Sequence, residues 1–411
     1  MSNRLRLFRE RMAAFEGAAD PGRAIESGYY VNEPGKLQAE TISNRIALRP
    51  ASSHLLIGGT GSGKTTQLLI ACENLKKIED IYPIYIDVSL YTDISKIEDG
   101  VITAIAGLEI SELAQLMLDN EDSSPELDLD ARENINIIRK LAYGYSEKVK
   151  VEKISSSLWH NASQVEFEKI QHQGIIPEKY NSDILYELIN AVRQVVQFAA
   201  HKYRHIVLLF DGLDRIYESK TFAKIIDFDA NILSELDVGI VIVGPLTSLH
   251  QENIFSIENS LDYFYRQPYF DIEKDPDAYN FFKKVLKSRS QEDFIDEAAF
   301  DLLIKFSGGV LRDLINLTQA SIEETYMSGD MRLEAKHVST AVASFGKAQI
   351  LGLDDYEVKI LQKIIEKEKF IPRGSTEVNL LLTRRIIEYK YPKNRYAVHP
   401  AITPIIEQIY A

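Results

Sequence analysis

Residues 55–66 read LLIGGTGSGKTT. The apolar run Ser53–Ile57 ends in glycines, a lysine and two threonines. The stretch that follows, KTTQLLIACENLKK, puts Leu68, Leu69, Cys72 and Leu75 on one helical face. Gly58–Thr65 satisfies G-x-x-x-x-G-K-[ST], the phosphate-binding loop, in the strand–loop–helix setting that the pattern needs. A triphosphate packs several negative charges into a small volume. Gly58, Gly59, Thr60, Gly61, Ser62 and Gly63 can surround it with backbone N–H groups because glycine lets the chain turn without intruding Cβ atoms. The helix that follows aims its N-terminal dipole at the same anion. Lys64 adds a full positive charge toward the β- and γ-phosphates. The Thr65 hydroxyl, with Thr66 beside it, faces Mg²⁺. ATP and Mg²⁺ are therefore the expected ligands, and a glycine-rich turn without a ligand is the alternative. No N-K-x-D segment is present to read guanine, which favours ATP over GTP.

The chain has 411 residues, enough for two or three domains. With 45% hydrophobic and 26% charged residues it has a globular composition. No apolar run approaches eighteen residues, so no membrane span or membrane partner is expected. The N-terminus, MSNRLRLFRERMAAFEG, lacks an apolar signal core, and Glu10 and Glu16 argue against a transit peptide. Cys72 is the only cysteine, so an internal disulfide is excluded and a cysteine metal site is not credible. These features lead to an expectation of a cytoplasmic protein. The net charge of −14 repels nucleic acid from the chain as a whole, so DNA contact requires a local basic patch.

A phosphate loop needs an acidic residue at the end of a neighbouring buried strand to hold Mg²⁺. In IVLLFDGLDR, Ile206–Phe210 suits a strand buried on both faces, and Asp211 ends it. Asp211 is the expected metal-side carboxylate; capping of a turn is its alternative. Tyr82–Val88, Val238–Gly244 and Pro268–Ile272 complete five strand candidates separated by helical stretches. The predicted fold is α/β: a P-loop NTPase with a five-stranded parallel sheet and helices on both faces. A charged, helical insert spans about 95–185 and includes Trp159. It is either an elaboration of the fold or a partner surface. After residue 272 the pattern is helical through about 350, and a third pattern begins at 351.

The phosphate loop, the DGLD segment (Asp211–Asp214) and the helical segment SGGVLRDLINL resemble AAA+ ATPases of the origin-recognition and STAND-related group over about residues 25–345, the insert excepted. The resemblance implies an ATPase domain over 25–272 and a helical lid over 273–350. It implies further that Arg312 is the lid arginine that senses the γ-phosphate, with pairing to Asp313 or Glu297 as the alternative. Many of these ATPases carry a Glu directly after the strand-end Asp; here Gly212 stands there. Asp214 is then the nearest candidate base, with helix capping or pairing to Arg215 as its alternative, and turnover should be slow. Arg266, placed by the resemblance just before the fifth strand, is a candidate arginine finger for a neighbouring subunit, or else a solvated loop arginine. Thr247 or Ser248 occupies the position of a polar sensor after the fourth strand. Tyr30 and Val31, in SGYYVNE, stand where related ATPases place adenine; ordinary core packing is the alternative. The resemblance further implies a homo-oligomer, or a complex with an effector protein, in DNA-linked regulation or in defence or stress signalling.

Over 351–411 a helix (YEVKILQKIIEKEKF), a second helix running into a strand, and a hairpin turned at Pro392–Asn394 resemble a winged helix. Residues 355–411 hold ten Lys/Arg against seven Asp/Glu, a net +3 that leaves −17 for the rest. Arg384, Arg385, Lys390, Lys393 and Arg395 are candidates for DNA phosphate contact; docking against protein is the alternative. The N-terminal helix expected over 1–24 aligns Leu5, Phe8, Met12 and Phe15, a face for another domain or subunit or for the chain's own core.

Overall fold

The computed structural model describes residues 3–16, 20–32, 37–119, 125–143, 176–250, 257, 260–290, 293–367 and 369–409. Trp159, and Glu33 at the end of the SGYYVNE segment, lie outside them.

Alternation along the strands builds two cores. In β1 (Ser53–Gly58), Leu55 and Ile57 face one core and Leu56 the other. In β3 (His205–Asp211), Ile206, Leu208 and Phe210 face the first and Val207 and Leu209 the second. With both faces covered, the strands read as unbroken apolar runs. β2 (Ile81–Asp87), β4 (Gly239–Gly244) and β5 (Tyr263–Gln267) complete a wholly parallel sheet of order β2-β3-β4-β1-β5. The order places β1, and the loop that leaves it, between β4 and β5, with β3 one strand away. This is a P-loop NTPase fold of AAA+ type.

The fifth strand differs from the expectation of Pro268–Ile272. It ends at Gln267, where Pro268 has no N–H to donate to a ladder. Its start is fixed by Asp262, whose carboxylate accepts from the Ser53 N–H at 2.9 Å and the Ser53 hydroxyl at 3.1 Å. Arg266 consequently lies within the strand, paired in register with Ile57.

The described part of the insert packs the helices Val101–Asp119, Pro125–Ala142 and Ser182–Ala200 against one another. Val101–Asp119, whose apolar run is interrupted by Glu109 and Glu112, is long and apolar enough to cross a membrane by length and composition alone. Of its eighteen-residue apolar window, 78% is buried inside the fold. Asp229 fixes its start by accepting from the Gly100 and Thr103 N–H groups and the Thr103 hydroxyl. Burial pushes that carboxyl up to about 6.

Four lid helices, Pro276–Lys287, Glu297–Phe306, Leu311–Met327 and Ala335–Ile350, enclose Phe281, Phe282, Leu303 and Leu314. The helix Asn3–Ala13 lies on this core, so its apolar face serves its own chain. Phe8 and Phe15 are buried, and Arg4 Nη2 donates to the Thr325, Tyr326 and Asp330 carbonyls.

The C-terminal unit is winged-helix-like. Helices Asp355–Lys367, Ser375–Leu382 and Thr403–Ile409 join an antiparallel hairpin of β6 (Ile386–Tyr389) and β7 (Arg395–Val398) around Leu361, Leu380, Ile386 and Ile402.

Candidate nucleotide-binding site

A cavity of about 350 Å³ opens where the phosphate loop, the strand ends, the segment before the Ala39–Leu48 helix and the lid meet. One end is polar, lined by Thr60, Gly61, Lys64, Thr65, Asp87, Asp211 and Arg312. The other is largely apolar, lined by Ile25, Tyr30, Val31, Leu37, Val285 and Ile315.

The loop is shaped from two sides. Gly61 has φ +82°, and a Cβ there would lie 2.6 Å from the Arg312 Cβ. The Arg312 N–H in turn donates to the Gly61 carbonyl at 3.3 Å. A Cβ on Gly59 would overlap the Tyr269 hydroxyl, which donates to the Thr60 carbonyl at 2.9 Å. These glycines thus admit the lid and the segment after β5 as well as an anion. Lys64 is buried; its Nζ lies 2.9 Å from Asp214 and donates to the Gly58 and Gly59 carbonyls at 2.9 and 3.1 Å.

Asp211 ends β3 beside Asp87, its register partner at the end of β2. Its carboxylate accepts from the Tyr85 hydroxyl at 3.0 Å and the Gly212 N–H at 2.8 Å, and also from the Thr65 hydroxyl. Burial holds this carboxyl above the ordinary aspartate range; the hydrogen bond from Thr65 opposes the shift, followed by those from Gly212 and Tyr85. Thr65, Asp211 and Asp87 form a set of hard oxygen donors suited to a divalent cation. Among the described residues no group of three or more His, Cys, Asp or Glu side chains could hold a metal by itself. Gly212 has φ +91°, and a Cβ there would sit 3.3 Å from Asp87 Oδ1, so a Glu at this position would be strained.

Arg312 is exposed, lines the polar end and makes no ion pair among the described residues. The partners considered for it are taken: Arg384 holds Asp313, and Lys283 holds Glu297 at 2.6 Å. Asp214 pairs with Lys64 rather than with Arg215. Thr247 and Ser248 are buried in a short turn after β4, with no partner for either hydroxyl among the described residues, and neither lines the cavity. Tyr30 and Val31 do line it.

Arg266 is not a solvated loop arginine. Its guanidinium pairs with Glu388 of the winged-helix unit. The basic cluster assigned to DNA is also largely engaged within the chain. Arg384 forks onto buried Asp313 at 3.0 and 3.1 Å, Arg395 onto buried Asp271 at 2.5 and 2.7 Å with Glu273 at 2.8 Å, and Arg385 onto the Gln349 and Leu351 carbonyls. Lys390 and Lys393 are exposed at the hairpin turn.

Among the lining residues not read from the sequence are Asp87, Gln67 and Arg289. Asp87 carries a signal that could have found it, since β2, like β3, ends in Asp. Gln67 is buried on the loop helix and accepts from the Gln38 and Ala39 N–H groups. Arg289 stands at the apolar end. Neither of these two has a local sequence signal.

No protein-family model matches the sequence, and no curated protein matches it. Among solved structures, the chain is similar in fold to the Aeropyrum pernix ORC1 protein in complex with DNA, with 13% identity, TM-score 0.46 and coverage of 92% of this chain and 93% of that one. CDC6P from Pyrobaculum aerophilum gives 15% identity, TM-score 0.42 and coverage of 93% and 97%. The Thermotoga maritima RuvB Holliday junction branch migration motor gives 14%, 0.40, and 90% and 92%.

Proposed function

We propose that the chain is an ATP-binding, slowly hydrolysing molecular switch of AAA+ type, in which nucleotide sets how lid and winged helix sit on the phosphate loop. One observation carries the proposal: two carbonyls of the phosphate loop, Thr60 and Gly61, accept from Tyr269 and from Arg312, and the residue after Arg312 holds the winged-helix Arg384. A change at the loop is thus one residue away from the C-terminal unit.

The loop amides and the dipole of the Lys64–Leu75 helix bind the phosphates. Lys64 exchanges Asp214 for a phosphate oxygen, which frees the Asp214 carboxylate to take a proton from the attacking water. Arg312 donates to the terminal phosphate and moves with the lid. Thr65, Asp211 and Asp87 would hold Mg²⁺, which neutralises phosphate charge. Tyr30 and Val31 pack on the base. Without a Glu after Asp211, the water is poorly held and turnover is slow. A homo-oligomer or an effector complex belongs to the same proposal, and Arg266 serves a neighbouring site only when its pair with Glu388 opens. DNA meets Lys390 and Lys393 first, and Arg384 and Arg395 once the winged helix lifts.

The Asp214–Lys64 pair also favours a second reading, an ATP-stabilised module that does not turn over. Phosphate release by wild type, Lys64→Ala and Asp214→Ala distinguishes the two. Release by wild type that is lost in both variants supports the switch. Tight ATP binding without release supports the module.

A further inference from the structure

The apolar end of the cavity contains a cation to which the switch assigns no role. Arg289 follows the Pro276–Lys287 helix and lines the cavity beside Tyr29 and Val285. Its Nη1 donates to the Tyr29 carbonyl at 3.0 Å, the Val285 carbonyl at 3.1 Å and the Ser288 hydroxyl at 3.3 Å. Its Nε is buried without a partner, and its Nη2 makes no hydrogen bond among the described residues. No carboxylate pairs with it there. Burial pushes the guanidinium down to about 10, with only the Tyr29 hydroxyl opposing.

A largely buried cation with idle donors and no counter-charge is costly, and such a group calls for a partner. The surroundings define that partner's shape. The guanidinium carbon lies 5.2 Å from the centre of the Tyr29 ring, and Ile25, Val31 and Val285 supply apolar walls. A flat heterocycle with apolar faces and an in-plane acceptor matches this slot. We propose that Arg289 reads the base of bound ATP, donating from its unused Nη2 to a ring nitrogen of adenine. This rests on the nucleotide-binding reading above. The opposing view is that Arg289 only anchors the Tyr29 carbonyl.

The test is calorimetric titration of the full chain with Mg²⁺ and ATP, 1-deaza-ATP, 3-deaza-ATP or 7-deaza-ATP. Each analogue replaces one acceptor nitrogen by C–H. A charged donor makes the lost bond worth about tenfold or more in affinity. Wild type should bind one analogue that much more weakly than ATP, and in Arg289→Met the same pair should agree within about twofold. An anchoring role alone moves both ligands equally and leaves their ratio unchanged. If all three analogues match ATP on wild type, no ring nitrogen is read and the proposal fails, whether or not the variant folds. If the penalty persists in Arg289→Met, another group reads the base and the proposal fails. If wild type takes up no ATP at all, the nucleotide reading falls and this inference falls with it.

Discussion

Arg384→Ala offers the sharpest test of the interface between lid and winged helix. The residue lies in the left-handed region, φ 61°, just past the Ser375–Leu382 helix, a conformation that costs an ordinary residue about 1 kcal/mol. It is held there by the fork onto Asp313, which has no solvent exposure, while Arg384 itself is 15% exposed. Removing one partner of a buried pair costs about 3–5 kcal/mol, because a charge is left without compensation. The carboxylate is not wholly abandoned, because His399 Nε2 lies 3.5 Å from Asp313 Oδ2. The expected penalty is therefore toward the lower end, about 3–4 kcal/mol. Asp313→Asn alone should cost about 1–2 kcal/mol, since the freed guanidinium can reach water. The double variant should cost about 2 kcal/mol less than the sum of the singles. Amide hydrogen exchange in the β6–β7 hairpin reads the opening of this interface directly. At pH 7 Arg384→Ala should speed it by on the order of a hundredfold or more. A penalty below about 0.5 kcal/mol with no coupling between the sites would refute the buried fork.

Three further outcomes follow from the same geometry. Gly212→Glu should lower stability by about 1–2 kcal/mol because of its positive φ, and should not raise phosphate release; a faster turnover would sink the argument that backbone geometry excludes a Glu there. Joint substitution of Asp271→Asn, Glu273→Gln and Asp313→Asn should free Arg395 and Arg384, strengthen duplex DNA binding measured by anisotropy, and steepen the log–log salt slope by about 2. Unchanged affinity and slope would rule out these arginines as held-back phosphate contacts. His54 is buried between Tyr263 and Tyr265, and burial pushes its imidazole down from 6.5 to about 4. The unfolded chain therefore takes the proton first, so its contribution is full above pH 6.5 and is lost as pH falls toward 4. Wild type should lose about 2 kcal/mol from this group between pH 7 and 5, and His54→Gln should lose about that much less in urea unfolding; identical acid slopes would refute the assignment.

What could be read from the sequence was what the chain encodes locally. The phosphate loop, its flanking strand and helix, and the buried runs ending in Asp211 and Gly244 each lie within a few residues of their signal. The fifth strand was misplaced because YFYRQ and PYFDI are equally strand-like. The decision rests on a missing donor at Pro268 and on an Asp262–Ser53 contact that spans 209 residues. Asp87 differs, since β2 ends in Asp as β3 does and the signal is local. Arg289 comes to line the cavity only through lid placement, which no window of sequence contains.

The winged-helix arginines carry this argument further. A basic cluster on an otherwise acidic chain reads as a surface waiting for phosphate. Yet the unit's net +3 sits beside a body of −17, so the nearest abundant anion is the chain itself. Tethering raises the effective concentration of Asp271, Asp313 and Glu273 far above that of any free partner. DNA must then displace carboxylates 71 and 124 residues away in sequence from the arginines they hold. Because Asp313 follows Arg312 directly, displacement at one end disturbs the residue proposed to touch the terminal phosphate. Linkage makes that coupling reciprocal: by whatever factor ATP changes affinity for DNA, DNA changes affinity for ATP. In the switch proposed here the intramolecular ion pairs thus supply the competing state against which nucleotide and DNA both act.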